Sequence, residues 1–527
     1  MGRVEQNRRD RLLVDFGIRY SMRRDHDLPP GEIIDTWNSI RTDVPLPPRN
    51  DGLTWESHDV VIVGAGVAGL AAAWRFQHAD FDDVVVLEVE QVAGGTSRSA
   101  KSYPWGAHYI SAPLRGDRLL TRVLSEMNVL EGTDSDGNPV VAKRFIVRPP
   151  EQRVFYRGNW YEGCYLRFGA TLDDLRQFRE FESEIAKWVA FRDGRGRRAF
   201  AIPTVMASDD AEVMALDRIS MAQWMDAHHW LSPRLRWYVD FACRDDYGMR
   251  LSDTSAWAGV FYFASRIAAP QQESQPSITW PEGNGRLVAH LGKSARVDTE
   301  RLVTSVTPSE RGVDVIAISR DGRHIRGIHA GHVVFAAPQF VAAMTIPGYR
   351  DVYQFTYGSW LVANVTLNNP PKSEGYPLAW DNVLYDSPSL GYVVSTHQSA
   401  KDGDPIILTY YYPICDHEPH VAQSRLMSLD RDECAEVILS DLESAHPEIQ
   451  SLTRRLDVMR WGRAMIRPQP GFINSAARRH ASEPWRKVHF ANTDLSAVAL
   501  FEEALYHGVR AAEEVLRENG REIVSFA

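Results

Sequence analysis

DVVIVGAGVAGLAAAWRFQHADFDDVVVLEVEQVAGGTSRS, residues 59–99, decides the fold. Residues 60–63 form an apolar run short enough for a buried parallel strand, and the small-residue run after Gly66 reads as a helix packed closely on it. In the intervening GAGVAG, Gly64 permits a tight turn, Gly66 lets backbone approach a pyrophosphate, and Gly69 lets helix and strand meet. Ala65 and Ala68 keep the same surface small, and the helix N-terminus faces the phosphates. A second apolar run, residues 84–87, ends at Glu88, nineteen residues past Gly69. A carboxylate there accepts hydrogen bonds from ribose hydroxyls and repels the extra phosphate of NADP. Strand, glycine turn, helix, strand and acid together predict an α/β, Rossmann-like dinucleotide-binding domain.

Gly94 and Gly95 follow Glu88 by six and seven residues, in a polar loop with Thr96, Ser97 and Arg98. This second glycine pair resembles that of the flavin-containing amine oxidase superfamily, which includes monoamine and polyamine oxidases and phytoene-desaturase-like enzymes. The resemblance implies FAD rather than NAD. Members usually carry Arg directly after the pair; here Thr96 stands there, which makes Arg98 the candidate pyrophosphate contact. YPWGAHYISAP, residues 103–113, resembles the family segment beside the isoalloxazine ring, with Gly106 and Ala107 as its small residues and His108 as a candidate catalytic or substrate-binding group. In RLVTSV the resemblance puts the backbone of Val303 at adenine. The terminal VHFANTDLSAVALFEEALYHGVRAAEEVL, residues 488–516, resembles the family's last flavin motif: Asp494 would hold a ribityl hydroxyl, and Ala499 lets a helix approach. That motif contains no cysteine and Cys434 lies well upstream, so non-covalent FAD is expected. WDNVLYDSPSLGYVVSTHQS, residues 380–399, is similar to bacterial spermidine-dehydrogenase-like flavoproteins.

The rest of the chain bounds the possibilities. At 527 residues it can hold two or three domains. A net charge of −10 gives no basic footprint for nucleic acid. Four scattered cysteines give neither a disulfide framework nor a metal-ligand spacing, so no metal is expected. No apolar run is long enough for a membrane span, and a cytoplasmic location is expected. The FAD-binding domain is expected from residues 55–115, 276–345 and 455–527, interrupted by a mixed α+β substrate domain from 116–275 and 346–454. Within the latter, residues 172–189 show helical apolar spacing, and residues 219–266 crowd aromatic rings around Asp245 and Asp246, where rings and carboxylates could hold a cation. Residues 1–54, rich in Arg, Asp and Pro, form an extension with one expected helix near 8–20. It is a candidate homo-oligomer contact or a docked tail.

The function expected from the resemblance is FAD-dependent oxidation of a small-molecule amine or polyamine-like substrate by hydride transfer to flavin N5. Two alternatives remain beside it: a C–C desaturase or isomerase acting on an apolar substrate, and a flavoprotein subunit whose FAD is structural. Alignment to the amine oxidases puts Val362 where many members keep a lysine associated with oxygen reactivity. It puts Ala464 and Leu500 at the two positions where rings sandwich the amine. His397, on an expected sheet strand, is a further substrate candidate.

Overall fold

The computed structural model describes residues 55–398 and 405–527, together with the backbone of 33–35. Its first sheet has a parallel core in the order Val297–Asp298, Val84–Leu87, Trp55–Val63, Ile325–Phe335, Val488–Phe490. Alternation along these strands sorts their side chains onto two faces. Val60, Ile62, Val86 and Val334 pack with helices Val67–Gln77 and Phe501–Glu518, whereas Val61, Val63, Val85 and Val333 join the core on the opposite side. Glycines set how closely these layers meet. A Cβ on Gly69 would stand 1.9 Å from the Gly64 carbonyl oxygen, and one on Gly508 would stand 2.1 Å from that of Ala68. Gly64 itself has φ +98°, a conformation side chains disfavour. The expected α/β architecture, assembled from separated stretches of chain, is present.

One long strand, Ile325–Phe335, joins two parts of this sheet. Its first half pairs antiparallel with Val313–Ser319 and its end pairs parallel with Val488–Phe490, so it serves a meander and the parallel core in turn. The second sheet has eight strands, in the order Ile33–Asp35, Thr453–Ile466, Tyr357–Leu367, Ile406–Ile414, Gly391–Val394, Asp381–Leu384, Gln152–Tyr156, Asn159–Glu162. Leu361, Ala363, Tyr410 and Tyr412 on one face pack against helices Pro419–Ser428 and Arg431–Glu443. Trp360, Val362 and Tyr411 on the other face look toward the first domain. Helices Leu172–Ala190, Pro233–Tyr247 and Ala256–Ala264 pack together beside this sheet. The first of them opens with a reciprocal Thr171–Asp174 capping box. Leu172, counted above in its apolar stripe, is exposed because it lies outside the turns that touch the core.

Three edges of the expected division move. Leu119, Leu120, Val123 and Leu124 of helix Arg118–Glu126 pack in the dinucleotide core, and so does Val141, so residues 116–141 side with the first domain. Thr453–Ile466 is held in the second sheet by Tyr357–Leu367, so the return to the first domain comes after 466 rather than at 455. Ile33–Asp35, within the extension, pairs parallel with residues 458–460 as an edge strand. The expected helix near 8–20 and the subunit-contact role of the extension lie outside the described residues. Among the described residues no helix is long and apolar enough to cross a membrane.

Candidate active site

A cavity of about 370 Å³ runs between the two domains. At one end the loop after Trp55–Val63 and the loop after Val84–Leu87 lie side by side, bridged at Gly66 and Gly94. A Cβ on Gly66 would come 3.9 Å from the Cα of Gly95, and one on Gly95 would come 3.3 Å from the Cα of Gly66. Side chains at either position would therefore fill the slot between the loops. Helix Val67–Gln77 opens onto this slot with no side chain capping it, leaving its first N–H groups for an anion. Glu88, buried in the same wall, accepts from the Ala65 N–H at 2.6 Å through Oε2 and from the Glu90 N–H at 2.9 Å through Oε1. Burial pushes its carboxyl upward against the pull of those donors. A slot lined by backbone, a helix N-terminus and a carboxylate fits the diphosphate and ribose of FAD.

Further along the wall, residues 105–108 are strapped in place. Tyr411 donates its hydroxyl to the Gly106 carbonyl at 2.7 Å, Trp461 donates Nε1–H to the Trp105 carbonyl at 2.6 Å, and the Ala107 N–H reaches the Thr96 carbonyl at 3.1 Å. A Cβ on Gly106 would stand 2.2 Å from that Thr96 oxygen, so the contact between the two loops itself demands glycine. Opposite, Asp494 accepts from the Tyr357 hydroxyl at 2.6 Å and from the Gln339 N–H at 2.8 Å, both on Oδ2. Its Oδ1 meets no protein donor among the described residues and is left for a ligand hydroxyl. Burial raises this carboxyl to about 6 despite the two donors.

The remaining wall is aromatic and charged. His108 lies against Tyr411, Trp380 and Tyr109 with ring centroids 5.2, 5.2 and 5.1 Å away. Burial lowers it to about 3, so the imidazole is neutral near pH 7 and is no ready base. Asp246 pairs with Arg266 at 2.9 Å, both largely buried. Asp245 also lines the cavity and makes no hydrogen bond or ion pair among the described residues; burial, then Asp246 and Asp381, hold its carboxyl well above the usual carboxylate range. Glu502, in the first turn of helix Phe501–Glu518, is pushed up to about 7 by burial, with Glu503 and Asp246 adding to it and Arg266 opposing.

The structure brings together most of the residues singled out in the sequence. Gly64, Gly66, Ala68, Glu88, Gly94, Gly95, Thr96, Arg98, Gly106, Ala107, His108, Asp494 and Ala499 line this one cavity, and so do Val362, Ala464 and Leu500. Ala65 and Gly69 stand behind the wall, one holding Glu88 and the other seating the helix. Arg98 lines the cavity, but its guanidinium lies 3.5 Å from the Glu90 carboxylate and against the Trp461 ring. One expectation is corrected. His397 is not in the wall: its Nε2 donates to the Arg148 carbonyl at 2.9 Å and ties a loop to the second sheet. Val303 packs its side chain in the core, on a strand whose Arg301 N–H reaches the Glu88 carbonyl at 2.8 Å; the expected adenine contact is one of its backbone. Arg266 and Glu502 were missed. Arg266 follows Asp246 by twenty residues with no local pattern linking them, and an acid in a helix's first turn is ordinary capping chemistry.

Comparison with known proteins agrees with this geometry. The chain is 22% identical to "Oxidoreductase PigB" of Serratia sp. (strain ATCC 39006) over 529 residues, covering 87% of this chain and 75% of that one. A solved triple variant of putrescine oxidase superposes with a TM-score of 0.65 at 15% identity, over 88% of this chain and all of that one. A fatty acid isomerase from P. acnes superposes with a TM-score of 0.60 at 14% identity, over 87% and 98%. These structural likenesses show a shared fold. The family model for flavin-containing amine oxidoreductases matches residues 67–516. The chain therefore belongs to the flavin-containing amine oxidoreductase family and is an FAD-dependent oxidoreductase.

Proposed function

We propose that this enzyme oxidises a C–N bond of an amine or polyamine-like substrate, with FAD held non-covalently. FAD in this cavity supplies a hydride acceptor. Around it, Gly64, Gly66 and the N-terminus of helix Val67–Gln77 hold the diphosphate, Glu88 the ribose and Asp494 a ribityl hydroxyl. The observation that carries the amine reading is the far wall, where Asp245 has no partner among the described residues while Asp246 already neutralises Arg266. The Asp245 carboxyl, raised by burial, ionises only beside an added positive charge, so that wall favours a substrate that brings one. His108 and Tyr411 supply flat faces that orient such a substrate. Putrescine oxidase, named for a diamine, shares the fold.

A second reading rests on the aliphatic positions Val362, Ala464, Met465 and Leu500 in the same wall, and on the fatty acid isomerase that shares the fold: flavin-dependent C–C chemistry on an apolar substrate. One experiment separates the two. The purified flavoprotein is mixed without air with panels of amines, amino acids and polyenes, and the flavin's visible absorbance is followed. Bleaching by amines is expected. Bleaching or a spectral shift with polyenes alone transfers the assignment to the second reading.

A further inference from the structure

We propose that His332, His489 and Glu518 form a site for a divalent transition-metal ion of the zinc class, remote from the cavity and clamping the last helix to the sheet. The strand register places the two histidines. Val334 lies opposite His489 in the parallel pair, and alternation puts His332 on the same face as Val334, the face covered by Phe501–Glu518. Both rings are buried, whereas Glu518, the helix's last residue, reaches solvent.

The spacing suits a tetrahedral ion. Nδ1 of His332 and Nε2 of His489 are 3.3 Å apart. Two nitrogens bound tetrahedrally at ~2.0–2.1 Å lie about 3.3 Å from each other. The Glu518 oxygens come within 3.7 Å of each nitrogen, Oε2 toward His332 and Oε1 toward His489, so a small side-chain shift completes a His₂Glu set with water on the open side. An outer partner orients the inner ligand as metal sites require. Glu514 accepts from Nδ1–H of His489 at 3.0 Å, which leaves the Nε2 lone pair aimed at His332. Without metal, His332 donates its Nδ1–H to that lone pair. On metal binding the proton moves to Nε2 of His332, both rings stay neutral, and both lone pairs point at the ion. The C-terminal end of a helix also favours a cation. One group opposes: Lys487, whose Nζ is 3.1 Å from the Glu518 carboxylate, must release it. Ordinary hydrogen bonding between the two histidines, beside a Lys487–Glu518 ion pair, predicts no metal response at all.

The test uses the full-length, tag-free flavoprotein, stripped with a chelator and titrated with zinc against a coloured competitor. One equivalent per chain and a raised Tm are expected. Glu514→Gln is expected to weaken zinc about 10–100-fold, the usual effect of losing an outer partner. Glu518→Gln weakens it further, and both solvent-reaching side chains can change without opening the core. Lys487→Met is expected to tighten it, a gain that adventitious binding to surface imidazoles cannot produce. Absence of a zinc equivalent in the wild type, or affinity unmoved by both Glu518→Gln and Lys487→Met, overturns the proposal.

Discussion

Glu88 holds the Ala65 and Glu90 N–H groups as well as facing the cavity, so its removal loosens the loop that forms the slot along with any ribose contact. Each charge-assisted hydrogen bond lost is worth ~1.5–3 kcal/mol. Glu88→Ala should therefore purify with little flavin, whereas Glu162→Ala, which removes an exposed carboxyl that accepts from Tyr376, should purify fully loaded. Equal flavin content in the two would remove Glu88 from the ribose. Asp117 offers a pH test. It caps helix Arg118–Glu126 through the Leu120 N–H, is buried, and is pushed up to about 8 by burial, with Glu502 and Glu503 adding to the shift. A carboxyl raised in the folded state stabilises fully below its unfolded value, near ~3.9, and that stability is lost as pH rises toward 8. Asp117→Asn keeps the cap and cannot ionise. Its Tm should fall less than the wild type's between pH 5 and pH 8, and parallel Tm curves would show that Asp117 is not raised. At this scale the sequence was legible in singling out Gly64, Glu88 and Asp494, which the fold brings to one cavity. It was not legible where a partner lies across the fold: nothing near His397 announces the Arg148 carbonyl, and nothing near Gly106 announces its contact with Thr96.

Between elements, the tightest joint is that of helices Val67–Gln77 and Phe501–Glu518. Ala68, Ala71 and Gly508 let them touch, with space at Gly508 closed by the Ala68 carbonyl and the Ala71 methyl. The first helix starts at the slot and the second starts beside Leu500, so their spacing positions two walls of the cavity at once. Gly508→Ala overpacks this joint, at a cost of about 1–3 kcal/mol. A lowered Tm together with reduced flavin retention is expected in thermal denaturation of the holoenzyme; an unchanged Tm would mean the helices part without strain. Element types were legible where a pattern showed locally: helical spacing in 172–189 and short apolar runs at 60–63 and 84–87. The joint was not, because a glycine inside a helical pattern looks the same whether it answers a close approach or merely tolerates one.

Across the whole molecule, the flavin motifs of residues 59–113 and 488–516 converge on one cavity. The second sheet closes it from the opposite side. The edges of the domains were less legible than their centres: helix Arg118–Glu126 and strand Thr453–Ile466 have ordinary apolar patterns, and only their partners say which core they join. Val362, the position that the resemblance aligns with a lysine, is fully packed between Met459 and Tyr411 on the neighbouring strands. The cations that do line the cavity among the described residues are Arg98, Arg266 and Arg463, of which the first two face Glu90 and Asp246 and the third lies over the Phe340 ring. No ammonium group stands in this wall to hold a water near the flavin, and an added lysine at Val362 would bear the cost of a buried charge. Electrons taken from the substrate are therefore expected to leave by an acceptor other than oxygen. If the flavin is reduced with dithionite without air and mixed with aerated buffer, its absorbance should return slowly compared with substrate-driven turnover in the presence of an artificial dye acceptor. Fast return with one peroxide formed per flavin would show that oxygen is activated in this cavity without a lysine, and that the acceptor is oxygen after all.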